Sequence, residues 1–342
     1  MGEAIRLLFD FIGLVIKILS IDGGGIRGII PALVLAEIER RTHKPTAHLF
    51  DLVAGTSTGG ILALALTIPK APGASLYTAQ QLVAMYEHEG RRIFSRSLLR
   101  RLFALDNLTW KKYSSRGING VLDNYFGEAR LRDAATNVLI TSYEIERRFP
   151  FFFRSAVARE RLDYDFRARD VARATSAAPS YFEPMKILTG TADHHYTLID
   201  GGVFANNPAA CALVDARATA PGADSYLVVS LGTGSLLTRL PVNISRYWGA
   251  ARWVKPLLDI VFDGVSSTVD YQLRQLLPSD PGPCSRYFRF QTTLNSHNCS
   301  MDNASQANIT ALKGLAFDLI EQKSDELDDL CALLVTSRSK TE

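Results

Sequence analysis

The N-terminal part of the chain alternates between two hydrophobic patterns. A β-branched apolar run is typical of a buried strand, whereas Ile30, Val34 and Ile38, one helical turn apart, predict an amphipathic helix. The predicted elements are strands at 15–21 and 49–54, a helix from about Ile29 to Arg41, and a helix from the GTSTGG turn through Leu66. Because a glycine-rich turn separates each strand from its helix, the pattern indicates a parallel sheet with helices packed on its faces.

The strand pattern continues through the middle of the chain and then gives way to helices. Four further strands are predicted, at 138–143, 151–155, 197–199 and 226–231. The last two end in glycine, in the DGG of 200–202 and the GTG of 232–234. From about Pro241 the pattern is mainly helical and closes with the amphipathic stretch 304–335. We therefore expect an α/β domain at 1–240 and a mainly helical region at 241–342 packed on the same domain.

Residues 71–118 differ from their surroundings and predict a basic, mainly helical insertion or cap. Arginines alternate there with large apolar residues, at Arg91, Arg92, Arg96, Arg100 and Arg101 and at Ile93, Phe94, Leu98, Leu99, Leu102 and Phe103. One interpretation is an interfacial helix that anionic lipid headgroups attract. The other is a helix that packs its apolar side on the domain and leaves its arginines in water.

Composition excludes several classes of protein. A chain of 342 residues with 47% hydrophobic and 21% charged residues is typical of a folded globular protein, and a net charge of +3 gives no reason to expect nucleic acid as a partner. The four cysteines are widely spaced, which indicates neither a zinc site nor a disulfide framework.

The first twenty residues are apolar but carry Arg6, Asp10 and Lys17, so they fall short of the roughly 18 apolar residues of a membrane span. We interpret them as a short packing helix that runs into the first strand, with a weak interfacial anchor as the alternative. They show no basic leader with a cleavage site. We expect a cytoplasmic protein, with peripheral contact to a membrane left open.

Three glycine-containing strand ends hold the candidate chemistry. They are 22–28, 55–60 and 200–202, and in an open parallel sheet the carboxyl ends of the strands meet at one edge, where ligands bind. The middle one, Gly55-Thr56-Ser57-Thr58-Gly59, fits the Gly-x-Ser-x-Gly turn that exposes a nucleophilic serine between a strand and a helix. Ser57 is therefore the candidate nucleophile.

The first glycine site has two interpretations. Gly23, Gly24 and Gly25 have no side chains to cover their N–H groups, so beside a serine nucleophile they would form an oxyanion hole. The spacing from Gly23 to Gly28 also satisfies the dinucleotide-binding pattern G-x-G-x-x-G. That pattern requires an acid at the end of the second strand, whereas Asp51 stands near its beginning. A P-loop does not fit either, since GTSTGG lacks the lysine.

The group that activates Ser57 is harder to assign. Of the six histidines only His297 follows Asp200, as the order Ser, Asp, His of α/β-hydrolases requires, and that fold places more than two strands before its nucleophile. His194 and His195 precede their strand, so we expect them at the far edge of the sheet. Asp200, at a strand end, is the candidate base of a Ser–Asp dyad. The alternative is that Asp200-Gly201-Gly202 merely turns the chain.

At this point the sequence resembles the patatin-like phospholipase family. The matching segments are ILSIDGGGIRGIIPALVLAEIE at 18–39, FDLVAGTSTGGILAL at 50–64, ATSAAPSYFEP at 174–184, IDGGVFANNPA at 199–209 and VSLGTG at 229–234. The resemblance implies a three-layer α/β/α fold with a mainly parallel central sheet, here followed by a helical C-terminal region. It further implies Ser57 as nucleophile, Asp200 as its base, and an oxyanion hole of Gly23, Gly24 and Gly25 with Arg27 in the same loop.

The function that the resemblance implies is hydrolysis of lipid acyl esters, as a phospholipase A or lysophospholipase acting on membrane phospholipids, without a metal ion or other cofactor. Two alternatives remain open. One is a phospholipase effector of bacterial antiviral defence that a signalling nucleotide activates, and the other is a non-enzymatic storage or binding protein on the same fold. The sequence does not fix the oligomeric state, the acyl position cleaved, or the role of the last hundred residues.

The segment 174–184 is expected to frame the site, or else simply to end a helix at Pro179.

Overall fold

The computed structural model describes residues 14–69, 76–94, 113–189, 194–236, 240–277 and 286–335. The N-terminal segment interpreted above as a packing helix and most of the arginine-rich stretch 91–103 lie outside these ranges. The strands are β1 (Val15–Ile21), β2 (Leu52–Thr56), β3 (Asn137–Glu144), β4 (Phe149–Arg154), β5 (Met185–Leu188), β6 (His195–Asp200), β7 (Ser225–Leu231), β8 (Ser235–Leu236), β9 (Tyr287–Phe290) and β10 (Thr293–Leu294).

The two helices that follow β1 and β2 fall where the sequence predicts them, and further helices that it did not predict lie at 115–126, 168–175 and 209–219. They are α1 (Ile29–Thr42), α2 (Thr46–Leu49), α3 (Thr58–Thr67), α4 (Ala79–Ile93), α5 (Ser115–Phe126), α6 (Ser155–Glu160), α7 (Ala168–Thr175), α8 (Gly202–Ala205), α9 (Ala209–Thr219), α10 (Val242–Ser245), α11 (Ala250–Leu276), α12 (Gln306–Gln322) and α13 (Ser324–Val335). None of the helices within the described ranges is long and apolar enough to cross a bilayer.

The second strand begins later than predicted. Residues 46–49 form the turn α2 because Glu39 accepts hydrogen bonds from both the backbone N–H and the hydroxyl of Thr46, at 2.9 and 2.7 Å. The Leu49 side chain is buried in the core, although Leu49 belongs to this turn and not to β2.

Five strands form the parallel part of the central sheet. β9, β7, β1, β2 and β3 lie side by side and all run in the same direction. Helices cover both faces, as two clusters of buried side chains indicate. Leu19, Ile21 and Val53 pack with α1, α3 and α12 in one cluster, whereas Ile18 and Leu52 pack with α9 and α11 in the other. Alternating strand residues thus face opposite layers, which gives the α/β/α arrangement.

The strand that ends at Asp200 is antiparallel, which the sequence did not predict. Residues 139–141 of β3 pair with both β2 and β4, and residues 142–144 pair with both β6 and β4. A strand residue has one neighbour on each side, so β2 and β6 occupy the same side of β3. β2 leaves the sheet after Thr56, and β6 arrives from the opposite direction and ends opposite Ser142.

The C-terminal region contributes to the sheet as well as to the helical layers. β9 pairs with β7 in parallel, from Tyr287 opposite Val228 to Phe290 opposite Leu231. α12 and α13 pack on α1, where Arg41 binds Ser324 and Asp328. These contacts join the residues after 285 to the strands that hold the candidate site.

Candidate active site

Ser57 stands on a strained turn between β2 and α3. Its backbone has φ 55° and ψ −122°, a left-handed conformation that residues other than glycine rarely adopt. The turn packs closely on β1: the backbone of Gly59 lies so near the carbonyl oxygen of Ile21 that a Cβ on Gly59 would collide with it. These are the features of a turn that exposes a serine at the N-terminus of a helix. The half-buried Ser57 side chain lines a large cleft.

The Thr175 hydroxyl links this turn to β3. The Ser57 N–H donates to Oγ1 of Thr175 at 2.8 Å, and that hydroxyl donates to the Thr141 carbonyl at 2.7 Å. Thr175 is the last residue of α7, in the segment expected either to frame the site or to end a helix. It does both: α7 ends there, and Ser176 and residues 178–182 line the cleft.

Asp200 lies at the end of β6, beside the point where β2 gives way to Ser57. The carboxyl group is buried, and its Oδ1 accepts a hydrogen bond from the Gly202 N–H at 2.8 Å. Burial raises the pKa of Asp200 to about 7, although hydrogen bonds from the Ser57 side chain and the Gly202 N–H oppose the shift. A carboxyl group with this pKa accepts a proton near neutral pH far more readily than an exposed one.

The glycine loop after β1 presents two unused N–H groups. Among the described residues, the N–H groups of Gly24 and Gly25 have no hydrogen-bond partner, and both residues line the cleft beside Ser57. The Gly23 N–H, in contrast, donates to the Asn206 carbonyl at 3.0 Å. Gly25 has φ +62°, and a Cβ there would collide with the carbonyl of Met301.

The Arg27 side chain binds a backbone carbonyl of the glycine loop. The buried guanidinium donates from Nε to the Gly24 carbonyl at 3.2 Å and from Nη1 to the Cys299 carbonyl at 3.3 Å. In a planar trans peptide the C=O and the following N–H point in opposite directions, so this contact turns the Gly25 N–H away from Arg27. Burial lowers the pKa of Arg27, which Asp259 partly opposes, but an arginine remains protonated throughout.

A buried ion pair fixes the base of the loop. Arg289 of β9 binds both carboxylate oxygens of Asp22, at 3.0 and 2.6 Å, and also donates to the Ser230 hydroxyl at 2.8 Å. Both charged side chains are at most 5% exposed. Two further contacts reach the loop from later segments: the Thr233 hydroxyl donates to the Gly23 carbonyl at 2.6 Å, and the Ile26 N–H donates to the Met301 carbonyl at 2.8 Å.

The cleft above Ser57 is large and mostly apolar. It spans about 1140 Å³ of space between atoms, a volume that includes open solvent, and its lining is predominantly hydrophobic and aromatic, as in binding sites for organic ligands. Its apolar walls come from α3, α4, α5, the segment after α7, and α11, with Ile61, Met85, Tyr86, Ile93, Phe94, Ile118, Val121, Leu122, Tyr125, Phe126, Tyr181, Phe182, Leu258 and Phe262. Ser57 and Asp200 therefore line a cleft that is suited to a hydrocarbon chain.

None of the six histidines, all of which the structure describes, lines the cleft. His297 is exposed on a turn, and His195 binds Glu146 at 3.4 Å on the surface. His195 does not lie at the far edge of the sheet, where the sequence predicted it, since β6 is antiparallel and begins beyond the carboxyl edge. His195 is still five residues along the strand from Asp200, roughly 17 Å away.

Several residues that shape the site could not be singled out from the sequence. Thr175, Asn206 and Thr233 stand inside the segments that carry the family resemblance, but nothing in their spacing indicates which backbone groups they bind. Arg289 and Met301 give no signal at all, because they lie outside every quoted motif and reach the loop only through the fold.

A serine on a strained strand-to-helix turn, beside a buried carboxyl group in a mostly apolar cleft, is the arrangement expected of a serine acyl hydrolase. The family model for patatin-like phospholipases matches residues 19–213. Patatin-like protein 1 of Oryza sativa subsp. indica is 33% identical over 90% of this chain and 82% of its own length. Patatin-like protein 2 of Arabidopsis thaliana is 32% identical over 92% of this chain and 83% of its own.

Among solved structures, VipD from Legionella pneumophila is similar at a TM-score of 0.34 and 14% identity, covering 89% of this chain and 67% of that one. The family model and the curated relatives show that the chain belongs to the patatin-like phospholipase family. It is an acyl hydrolase, with the mostly parallel α/β/α fold that the resemblance implied.

Proposed function

We propose that this enzyme releases fatty acids from membrane phospholipids, as a phospholipase of the A type, with Ser57 and Asp200 as a catalytic dyad. The observation that supports the proposal best is the buried Asp200 carboxyl group, whose pKa the neighbouring Ser57 side chain lowers and which lines the same apolar cleft as Ser57. A long acyl chain bound in the cleft would bring its ester carbonyl within reach of the serine hydroxyl.

In the proposed first half-reaction, the Ser57 hydroxyl attacks the ester carbonyl carbon while Asp200 accepts the hydroxyl proton. The carbonyl oxygen becomes an oxyanion as the C–O double bond opens. When the tetrahedral intermediate collapses, the bond to the lysolipid oxygen breaks, and Asp200 passes its proton to that oxygen. The products of this half-reaction are the lysolipid and an acyl ester on Ser57.

The second half-reaction uses the same groups in the same order. A water molecule gives a proton to Asp200 and attacks the acyl carbon, and collapse of the intermediate releases the fatty acid. Asp200 then returns the proton to Ser57. A pKa of about 7 suits both tasks, because the carboxyl group must accept and donate a proton in each half-reaction.

We assign the oxyanion hole to the N–H groups of Gly24 and Gly25. They have no other partner among the described residues, and Arg27 orients the peptide between them. Gly23 keeps a supporting role in this proposal, since its own N–H is bound to Asn206 and its carbonyl to Thr233. Losing one such donor typically costs about 3–4 kcal/mol of transition-state stabilisation.

The proposal is tested by fatty-acid release from a panel of phospholipids, measured for the unaltered enzyme and for Ser57→Ala. We expect release by the former only, together with labelling of Ser57 by a fluorophosphonate probe. His297→Ala is the matched control and should keep full activity, because His297 is exposed outside the cleft. Full activity of Ser57→Ala would refute the dyad, and loss of activity in His297→Ala would favour a triad.

A further inference from the structure

An exposed apolar surface lies at the start of α11. It consists of Tyr247, Trp248, Trp253, Leu257 and Ile260, which we call the Trp248 surface. Tyr247 is 70% exposed, Leu257 52% and Ile260 45%. Single exposed apolar residues are common on proteins, whereas a contiguous group of this kind marks a surface that binds something.

The members of the Trp248 surface are in contact or on one helical face. The rings of Trp248 and Trp253 meet edge to face, with centroids 5.4 Å apart. Trp253, Leu257 and Ile260 follow at spacings of four and three residues, which places them along one stripe of α11. The surface is therefore continuous from the turn before α11 through its first turns.

The opposite side of the same helical turns borders the cleft. Leu258 and Phe262 line the same cleft as Ser57, and Phe262 is buried. A molecule that rested on the Trp248 surface would thus lie beside the rim of the acyl cleft, separated from it by the width of one helix.

Within 240–260, the described charged side chains that are exposed to solvent are both basic. Arg246 and Arg252 are exposed, and the guanidinium of Arg246 lies over the Tyr247 ring, 4.6 Å from its centroid. Asp259, the single acidic residue of 240–260, is half-buried and lines the cleft. Tryptophan and tyrosine with neighbouring arginines are the side chains that settle at the interface of an anionic bilayer.

We propose that the Trp248 surface docks the enzyme on the surface of an anionic lipid bilayer, with its apolar side chains in the interfacial layer and Arg246 and Arg252 at the headgroups. This inference rests on the proposed function, because it supplies the path from bilayer to cleft. The sequence suggested membrane contact through residues 91–103, which lie mostly outside the described residues. The present proposal assigns membrane contact to a different segment, at the start of α11.

The test measures binding apart from hydrolysis. In a Ser57→Ala background, co-sedimentation is measured with vesicles made of equal parts phosphatidylglycerol and phosphatidylcholine, and with vesicles of phosphatidylcholine alone. Leu257→Ser with Ile260→Ser should weaken binding to both kinds about ten-fold or more, since it removes apolar area from the interface. Arg246→Gln with Arg252→Gln should weaken binding to the anionic vesicles alone, by about five-fold for each arginine.

A matched control lies on the same helix. Tyr271 and Leu276 are 67% and 69% exposed, further along α11 and away from the cleft. Tyr271→Ser with Leu276→Ser should leave vesicle binding unchanged. With Ser57 intact, the Leu257 and Ile260 variant should hydrolyse a short soluble ester at the normal rate and vesicle lipid about ten-fold more slowly, because neither side chain lines the cleft.

Unchanged vesicle binding in the Leu257 and Ile260 variant would overturn the proposal. So would a change of oligomeric state in size-exclusion chromatography with vesicle binding intact, which would identify the surface as a contact between two copies of the chain. If the unaltered enzyme binds vesicles but releases no fatty acid from any lipid, the proposed function fails while the docking surface stands.

Discussion

Replacing Asp200 by asparagine should inactivate the enzyme and at the same time make it more stable at high pH. The substitution keeps the shape of the side chain, and its amide oxygen can still accept the Gly202 N–H bond. Asparagine cannot take the proton of Ser57, so ester hydrolysis should fall to background. It also never becomes a buried negative charge, which is the source of the gain in stability.

The size of the gain follows from the pKa of Asp200, which rises on folding from 3.8 to about 7. Because the folded pKa is the higher one, the fold favours the protonated carboxyl group. Its contribution to stability is complete below about pH 4 and is lost as pH rises through 7. A difference of about 3 pKa units corresponds to about 4 kcal/mol. The asparagine variant should therefore gain about 4 kcal/mol in unfolding free energy over the unaltered enzyme between about pH 4 and pH 8.

Urea unfolding of both proteins at several pH values measures this difference. All other titrating groups are common to the two proteins, so their contributions cancel in the comparison. A stability difference that stays flat from about pH 4 to pH 8 would show that Asp200 is not a buried, proton-binding group. Retained hydrolysis by the asparagine variant would show that another group activates the serine.

Three other predictions follow from the site and its supports. Hydrolysis of a soluble ester should rise with pH through about 7 and then level off, as Asp200 becomes able to accept a proton, and a profile flat across that range would contradict this. Gly25→Ala should lower kcat by about a hundred-fold or more, since it disturbs a φ of +62° and a proposed oxyanion donor. Arg289→Met should lower the free energy of unfolding by about 3–5 kcal/mol, because Asp22 would remain buried without its partner.

Each of the two substitutions has a matched control. Gly314 lies in α12 with nothing near the position of a Cβ, so Gly314→Ala should leave kcat unchanged. Lys323 pairs with Glu326 on the surface, and Lys323→Met should cost less than about 1 kcal/mol. Normal kcat in Gly25→Ala, or equal losses of stability in the Arg289 and Lys323 variants measured by urea unfolding, would contradict the roles assigned here.

Most of the fold could be predicted because its pattern is local. The β-branched run of β1, the helical spacing of α1 and the glycine turn at Ser57 each show in a few neighbouring residues, and all three occur in the structure within two residues of the prediction. The family was also identified correctly from its motifs.

The direction of β6 could not be predicted, since parallel and antiparallel strands show the same short apolar run. The sequence placed Asp200 at the carboxyl edge of a parallel strand, whereas the strand is antiparallel and Asp200 reaches the level of Ser57 from the other side. The sequence thus predicted that Asp200 lies near Ser57, but it predicted the wrong direction for the strand that carries Asp200. Pairing along Ser142 of β3, which is a long-range feature, decides where Asp200 ends.

The contacts that support the glycine loop could not be predicted from the sequence either. Arg289 and Met301 act across more than 260 residues of chain, and neither residue type has a spacing that reveals a partner at such a distance. The glycines of this loop predict an oxyanion hole, but they do not indicate which N–H groups have no partner among the described residues.

The bonds from Arg289, Cys299 and Met301 to the loop at 22–27 have a consequence for the growing chain. The family match ends at residue 213, yet three supports of the loop come from residues made much later. A fragment ending at residue 240 should accordingly be inactive even toward a soluble ester. During synthesis, Ser57 and Asp200 would leave the ribosome well before their glycine loop is held in place. We expect the enzyme to be unable to attack lipid until the chain has been made to at least residue 301.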